Sequence, residues 1–519
     1  MAHAKKVSPV ALRRGLFIVL ALLGQLALLG LLLAGAELGF SYANLIFGAV
    51  SVGACVHVLN RNTKAAYKIT WIFLILLVPV FGSAIYLFFY FQSTPRRLKR
   101  LMDRIGQETR PAFFLGGDAL PALSGALPLH EPLARYLQRC AGFPAFANTR
   151  ALYLDSGEAF FAKALEELEK ARRYIFLEFF ILREGRMLSA ILDVLERKAA
   201  EGLDVRVIYD DLGCFLSLPP EARRDMEARG IKCFAFNPFR PVLASLQNNR
   251  NHRKIIAIDG KVAFTGGVNI GDEYINLTSP YGRWKDAGVM LEGEGAWSFA
   301  LIFLQMWGTS PAAKGGARSR DDCASFYPWR DAPCDIRAEG FVQPYSDSPM
   351  DPENVCENVY LQIIGRARKY VYINTPYLVP DDSLLSALAL AAKSGVDVRI
   401  ITPHRWDKWI VAFISRSYYR ELISAGVKVY EYADGFNHGK TFACDDEIAT
   451  VGTANLDFRS LYLHFECGAV AYSAEIARAV KEDFLRTLPV SREMTLEECA
   501  PNVFKRALSD VLRILAPLL

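Results

Sequence analysis

Ala171-Arg-Arg-Tyr-Ile-Phe-Leu-Glu-Phe-Phe-Ile-Leu182 is answered later in the chain by Ala367-Arg-Lys-Tyr-Val-Tyr-Ile-Asn-Thr-Pro-Tyr-Leu378, and this correspondence decides the fold. Outward from it, Gly202-Leu-Asp-Val-Arg-Val-Ile-Tyr-Asp210 answers Gly395-Val-Asp-Val-Arg-Ile-Ile-Thr-Pro403, and Gly230-Ile-Lys-Cys-Phe answers Gly426-Val-Lys-Val-Tyr. The offsets are 196, 193 and 196 residues, far beyond any solenoid period, so the region holds two copies of one domain. Each copy opens with a short β-rich apolar run, Ile175–Ile181 in the first. A helical pattern follows, with Leu188, Ile191, Leu192 and Leu195 on one face of Met187–Ala200. Gly202 stands where a C-terminal cap belongs, and Leu203–Tyr209 is the next strand; Ser383–Lys393, Gly395 and Val396–Ile401 repeat the pattern. Strands alternating with helices predict an α/β fold with right-handed βαβ units and a mostly parallel sheet covered on both faces.

The same duplication carries chemistry. His252-x-Lys254-x4-Asp259, then Gly266-Gly-Val-Asn269, answers His438-x-Lys440-x4-Asp445, then Gly452-Thr-Ala-Asn455, both pairs offset by 186. On a strand, side chains two apart share a face, so each His lies beside its Lys. The glycines let the backbone turn tightly before presenting Asn. One His, Lys and Asn from each copy, related by a pseudo-twofold, would build a single pocket. Lys254, Lys440, Asn269 and Asn455 suit the oxygens of a phosphoryl group. Two imidazoles suit displacement at phosphorus, one neutral to attack and one protonated to serve the leaving alkoxide. His3, His57, His130 and His404 read as ordinary surface or packed residues, and His464 as a packed one. Asp210-Asp211, Asp381-Asp382 and Asp445-Asp446 sit at strand ends or turns without a metal-ligand pattern, so no metal is expected.

The 519 residues are 52% hydrophobic and 22% charged, which excludes disorder and also a polytopic membrane protein throughout. A net charge of +5 is too small for a nucleic-acid-coating protein. Gly15–Ala36 and Ile69–Phe91 are apolar runs long enough to span a bilayer, the second interrupted by Thr70, Pro79, Gly82 and Ser83. Leu38–Leu59 between them reads as a third span or a re-entrant element. With two spans, Lys5, Lys6, Arg13, Arg14, Arg96, Arg97, Lys99, Arg100 and Arg104 fall on the side of the large domain, against Arg61, Lys64 and Lys68 opposite. The positive-inside rule then puts the domain in the cytosol. The ten cysteines form no CxxC pair and fit a reducing compartment. The expected organisation is a membrane anchor over 1–95, a linker over 96–140, a first domain over 141–308, a connector over 309–340, a second domain over 341–490 and a C-terminal amphipathic helix over 491–519. In that last stretch Val503, Phe504, Ala507, Leu508, Val511, Leu512 and Leu515 share a face, with Lys505, Arg506 and Arg513 opposite. It reads equally as an interfacial helix or a cap on the core. Phe239-Arg-Pro-Val-Leu243 is a second candidate to dip into the interface.

The paired HxKxxxxD segments with GGxN and GTxN resemble the phospholipase D superfamily. The details are similar to its bacterial cardiolipin synthase branch: Tyr67-Lys-Ile-Thr-Trp71 with Pro79-Val-Phe-Gly82 and Tyr86, Asn251-His-Arg-Lys254, Gly266-Gly-Val-Asn-Ile-Gly271, Thr375-Pro-Tyr377 and Gly452-Thr-Ala-Asn-Leu-Asp-Phe-Arg-Ser460. The resemblance covers the chain from about residue 40 to its end. It implies two tandem phospholipase D-like βαβ domains with pseudo-twofold symmetry behind a transmembrane helical segment, in the bacterial cell membrane. It implies a phosphatidyltransferase that joins two phosphatidylglycerols into cardiolipin and releases glycerol through a phosphatidyl-histidine, with no cofactor, no metal and no nucleic-acid partner. Hydrolysis as a phospholipase D, or transfer to another alcohol, stays open. By the same resemblance the catalytic set is His252, Lys254, Asp259, His438, Lys440 and Asp445, with His252 as nucleophile, His438 as acid/base, and the two motif aspartates in structural roles. An acid further on is expected to fix each histidine, and Asp286 and Glu466 match those places.

Overall fold

The computed structural model describes residues 42–91, 94–239, 245–314, 323–499 and 502–518. The run 15–36, the N-terminal cations and residues 240–243 of the candidate interfacial loop lie outside the described residues.

The first copy supplies β1 (Thr149–Leu154), β2 (Tyr174–Phe179), β3 (Asp204–Asp210), β4 (Lys232–Phe236), β5 (Lys254–Ile258), β6 (Val262–Gly266), a short β7 (Arg283–Lys285) and β8 (Gly288–Gly293). Its seven-stranded sheet runs β1-β8-β6-β5-β2-β3-β4. The second copy supplies β9 (Phe341–Asp347), β10 (Tyr370–Asn374), β11 (Leu378–Val379), β12 (Asp397–Pro403), β13 (Lys428–Tyr432), β14 (Gly435–Asn437), β15 (Thr441–Cys444), β16 (Ile448–Gly452), β17 (Leu456–Asp457), β18 (Glu466–Tyr472) and β19 (Ser491–Glu493). Its eight-stranded sheet repeats the order as β9-β18-β16-β15-β10-β12-β13, with β19 added at the edge.

The expectation of a mostly parallel sheet needs correction. Within the two large sheets, among the described residues, only β2-β3-β4 and β10-β12-β13 pair in parallel, and the remaining neighbours are antiparallel. The cause is local. Asp259 (φ 53°) and Gly260 (φ 69°), like Asp445 (φ 55°) and Asp446 (φ 61°), turn with positive φ at both central positions. Such turns join adjacent antiparallel strands, so the histidine-bearing strand returns as a hairpin. The βαβ part is as the periodicity predicts. The helix Arg186–Ala200 buries Met187, Leu188, Ile191, Val194 and Leu195, and Gly202 follows at φ 92°.

The helix Glu294–Trp307 is apolar all round and buried along nearly its whole length, packed against β5, β6 and β9. Its side chains join residues of both copies in one continuous apolar cluster, so the halves share a core. Two short crossings stitch them further. β7 pairs in parallel with β14, and Asn251 bridges Phe465 in parallel.

Two expectations about the flanks change. The run Ile69–Phe91 is two helices, Ala65–Leu77 and Pro79–Phe91, each of 13 residues, broken at Val78 because Pro79 offers no amide hydrogen to continue the ladder. Each is about 20 Å long against a hydrocarbon core of about 30 Å. No helix among the described residues is long and apolar enough to cross a membrane. The two helices fold back on one another with Gly82 against the backbone of Leu74 and Ile75, where a Cβ would lie 2.4 Å from the Leu74 carbonyl oxygen. Both ends of this hairpin meet the catalytic halves. Lys64 Nζ pairs with Glu357 (2.5 Å) and Asp381 (3.0 Å), and Lys99 Nζ donates to the Met350 carbonyl. Arg61, Lys64 and Lys68 therefore sit on the same side as Arg96–Arg104, not opposite them. The stretch expected as a linker is also folded: Leu120–Ala126 and Glu131–Tyr136 are helices that bury Leu123, Leu133 and Ala134 completely or nearly so. At the other terminus the helix Val503–Arg513 packs on Trp409–Ser424, with Arg513 over the Tyr418 ring at 4.0 Å. Its apolar face is divided. Leu512 packs on the core, while Val503, Phe504, Leu508 and Val511 remain exposed.

Candidate active site

Each histidine stands just ahead of a buried strand, His252 two residues before β5 and His438 three residues before β15, and is clamped by backbone from the other half. His252 N–H donates to Phe465 O at 3.0 Å, and Phe465 N–H to Arg250 O at 2.9 Å. Symmetrically, His438 N–H donates to Lys285 O at 2.7 Å. The next residue along each clamping segment is an acid. His252 Nδ1 lies 2.8 Å from Glu466 Oε1, and His438 Nδ1 lies 2.7 Å from Asp286 Oδ2. The acids are thus crossed: each half orients the imidazole of the other. With Nδ1–H donating to carboxylate, Nε2 of each ring keeps its lone pair for the pocket.

The acids are fully buried and themselves held. Asp286 accepts from Trp284 Nε1 (3.2 Å) and Ala287 N (2.9 Å), and Glu466 accepts from Thr453 Oγ1. Gly267 makes the first arrangement possible, because a Cβ there would stand 1.9 Å from Asp286 Oδ1 and 2.7 Å from the His438 carbonyl oxygen. Lys254 opens β5 and Lys440 immediately precedes β15. Lys254 Nζ donates to His252 O at 2.7 Å and Lys440 Nζ to His438 O at 2.5 Å.

The charges in the pocket act on one another. Burial, then Lys254, Lys440 and His438, pushes the proton affinity of His252 well below the ordinary histidine value. Burial and Lys440 push His438 down to about 4, against the pull of Asp286. Burial brings Lys254 down to about 8 and Lys440 to about 7, with Asp286 and Glu466 resisting. Burial would raise Asp286, but the adjoining His438 outweighs it and holds the carboxyl below its usual range. Glu466 goes the other way, raised by burial despite Lys254.

The other predicted residues divide. Asp259 takes the N–H groups of Arg172, Arg173 and Tyr174 at 2.8–2.9 Å, and Asp445 those of Arg368, Lys369 and Tyr370 at 2.7–2.9 Å. Both stand at the hairpin turn, the far end of the strand from its histidine, where they tie the turn to the start of β2 or β10. Asn269 is engaged on both sides, its Oδ1 accepting from Ile181 N and its Nδ2 donating to Tyr274 Oη. Asn455 donates to Asp457, and its buried Oδ1 has no partner. The sequence reading passed over Asn251 and Asn437, which precede the histidines and donate to Glu178 (2.7 Å) and to Asn374 (2.9 Å) and Ile401 O (3.0 Å). Their signal was present, since Glu178 and Asn374 occupy matching positions in the repeat. It also passed over the aromatic walls: Phe180 at 4.9 Å from the His252 ring, and Trp284, Tyr274 and Phe436 at 5.2, 5.8 and 5.8 Å from that of His438. His464, read as packed, lies 5.5 Å from the His252 ring.

The family described as "Cardiolipin synthase, PLD-like domain" matches residues 164–279 and 360–488, and one described as "Phospholipase_D-nuclease N-terminal" matches 49–89. A protein named cardiolipin synthase from Geobacillus kaustophilus is 35% identical over 469 residues, covering 88% of this chain and 90% of its own length. Cardiolipin synthase 2 of Bacillus anthracis is 34% identical, covering 91% and 90%. An uncharacterized protein of Streptococcus mutans is 41% identical, covering 90% and 100%. Among solved structures, phosphatidylserine synthase of Haemophilus influenzae aligns with a TM-score of 0.55 at 15% identity, covering 75% of this chain and all of that one, which shows a shared fold.

Proposed function

Since the chain belongs to the cardiolipin synthase family of phospholipase D-like proteins, we propose that it is a phosphatidyltransferase that joins two phosphatidylglycerols into cardiolipin and releases glycerol. His252 Nε2 attacks phosphorus, and the bond to the glycerol headgroup breaks as His438 gives the leaving oxygen a proton. The headgroup hydroxyl of the second lipid then attacks the phosphatidyl-histidine, His438 takes its proton, and His252 leaves. Lys254 and Lys440 hold the non-bridging oxygens. The entering phosphodiester monoanion, placed among these groups, restores the proton affinity that burial removes from His438 and both lysines.

The observation that supports this reading is the crossed pair of contacts, 2.8 Å at His252 and 2.7 Å at His438, by which each half orients the imidazole of the other, with His438 near enough to lower the proton affinity of His252. The assignment of His252 as nucleophile is supported by its surroundings. Burial and two lysines hold the proton affinity of His252 down; burial also holds that of His438 down, to about 4, but there the ionised Asp286 pulls the other way. The lipid substrates are supported by the apolar hairpin, whose base sets Tyr67 edge-on to Phe458 and Tyr462, ring centres 5.9 and 6.2 Å apart, in the helix leading to His464 and Glu466. We place the hairpin in the leaflet from the catalytic side. Cations at both ends of the hairpin make that side cytoplasmic.

Purified protein incubated with phosphatidylglycerol vesicles tests the proposal. Cardiolipin and free glycerol in equal amounts are expected. Phosphatidic acid in place of cardiolipin would make the enzyme a hydrolase.

A further inference from the structure

His464 lies beside His252 and phosphatidyl transfer gives it no part. Its side chain is only 10% exposed, and neither Nδ1 nor Nε2 has a hydrogen-bond partner. Imidazoles buried without partners are rare, and each calls for a physical reason. Here the ring lies 5.5 Å from that of His252, and its Nδ1 lies 3.9 Å from Glu466 Oε1. One ligand atom from each of His252, His464 and Glu466 falls within 4.8 Å of the others. Two imidazoles and one carboxylate are the donor set that holds zinc with a fourth position open. Tetrahedral bonds of about 2.0–2.1 Å would bring these atoms to about 3.4 Å apart, a closure that small rotations of the side chains supply.

We propose that His252, His464 and Glu466 form a binding site for a divalent cation of the zinc class, and that the cation, when bound, switches the enzyme off. The nitrogen of His252 that faces Glu466 is Nδ1. A cation there takes the Nδ1 lone pair, so the one proton of the neutral ring must sit on Nε2. Nε2 then has no lone pair with which to attack phosphorus. The Nδ1 proton is released and Nε2 takes one up through water, no bond between heavier atoms breaks, and chelation reverses the block. The ammonium groups of Lys254 and Lys440 nearby oppose a dication, so the expected affinity is micromolar rather than tighter. The inhibitory half of the proposal rests on the phosphoryl-transfer reading; the binding half does not.

The full-length protein, stripped of metal and held in detergent, is titrated with zinc chloride against a chromophoric indicator, as wild type and as His464→Asn. Thermal unfolding is recorded with and without zinc. We expect wild type to bind zinc at micromolar levels and His464→Asn to bind it at least about tenfold more weakly, since even an outer partner of a metal site is worth that much. Zinc should raise the unfolding temperature of wild type and not of the variant, which also reports that the variant is folded. Turnover should fall over the same zinc range, each protein compared with its own zinc-free rate, and return with EDTA. Equal binding by both proteins, or none at about 100 μM zinc, a hundredfold above micromolar affinity, overturns the site. Binding through His464 without loss of turnover overturns the inclusion of His252. A protein inactive on phosphatidylglycerol that binds zinc through His464 supports the site while refuting phosphatidyl transfer.

Discussion

The two halves hold the same backbone course around two histidines and surround them differently. Around His252 the neighbours are ionic: Arg253, between the motif His and Lys, reaches Ser346 Oγ (2.5 Å) and the Glu466 carbonyl oxygen (3.2 Å), and lies 3.7 Å from Glu178. Around His438 they are neutral and aromatic, with Gly439 in place of Arg253, Asn374 in place of Glu178, and Trp284, Tyr274 and Phe436 against the ring. The orienting acids differ as well. The shorter Asp286 reaches its histidine only because Gly267 yields space, whereas the longer Glu466 is met by Thr453 at the equivalent position. Symmetric folding with asymmetric solvation is what the proposed division of roles between the two imidazoles requires.

The largest effect should come from the histidines themselves. His252→Ala and His438→Ala should each lower turnover by about 10⁴-fold or more. They should part company on a phosphatidyl ester of p-nitrophenol, whose leaving group needs no proton. His438→Ala should release p-nitrophenol and accumulate an acid-labile adduct on His252, visible by mass spectrometry, while His252→Ala should do neither. An adduct on His438 would reverse the roles.

The crossed acids come next. Asp286→Asn and Glu466→Gln should each cost about 10²–10³-fold in kcat, the scale of one misdirected general acid or base. On the activated ester Glu466→Gln should stay slow and Asp286→Asn should recover. The opposite pattern would mean that the contact across the halves does not govern the chemistry. Gly267→Ala should cost about 10²-fold, because it displaces Asp286 and the His438 backbone together. Thr453→Ala, which removes one hydrogen bond to a buried carboxylate, should cost only about tenfold.

The smallest effect is a pH profile. Lys440 at about 7 and Lys254 at about 8 have their proton affinities lowered, so the cationic forms that bind phosphate are present below these values and lost above them. Activity at limiting phosphatidylglycerol should therefore decline as pH rises through 7 and 8. At saturating lipid the decline should shift to higher pH, because bound phosphodiester stabilises both ammonium groups. A profile flat from pH 7 to 9 under both conditions would remove the lysines from phosphate binding.

Much of this was legible in the sequence, and the gaps have physical causes. The strand–helix–strand units rest on local periodicity and capping, so β2, Arg186–Ala200 and β3 fall within a residue or two of the expected bounds. The placement of His252 with Lys254 follows from strand alternation alone. The antiparallel return was written in Asp259-Gly260, a hairpin signal outweighed by the βαβ pattern. The helix break at Val78-Pro79 was likewise visible, but hydropathy sums over proline without seeing direction, so a hairpin scored as a span. The crossing of Asp286 and Glu466 was not legible at all. Each acid follows the histidine of its own copy in the chain, and only the docking of β7 on β14 and of Asn251 on Phe465 decides which ring it meets.

That crossing also sets a clock on the ribosome. His252 and the residue that aims it are 214 positions apart, so at about 5–20 residues per second the imidazole waits roughly ten to forty seconds after its own synthesis for Glu466 to emerge. During that interval His252 is present without the carboxylate that fixes its tautomer.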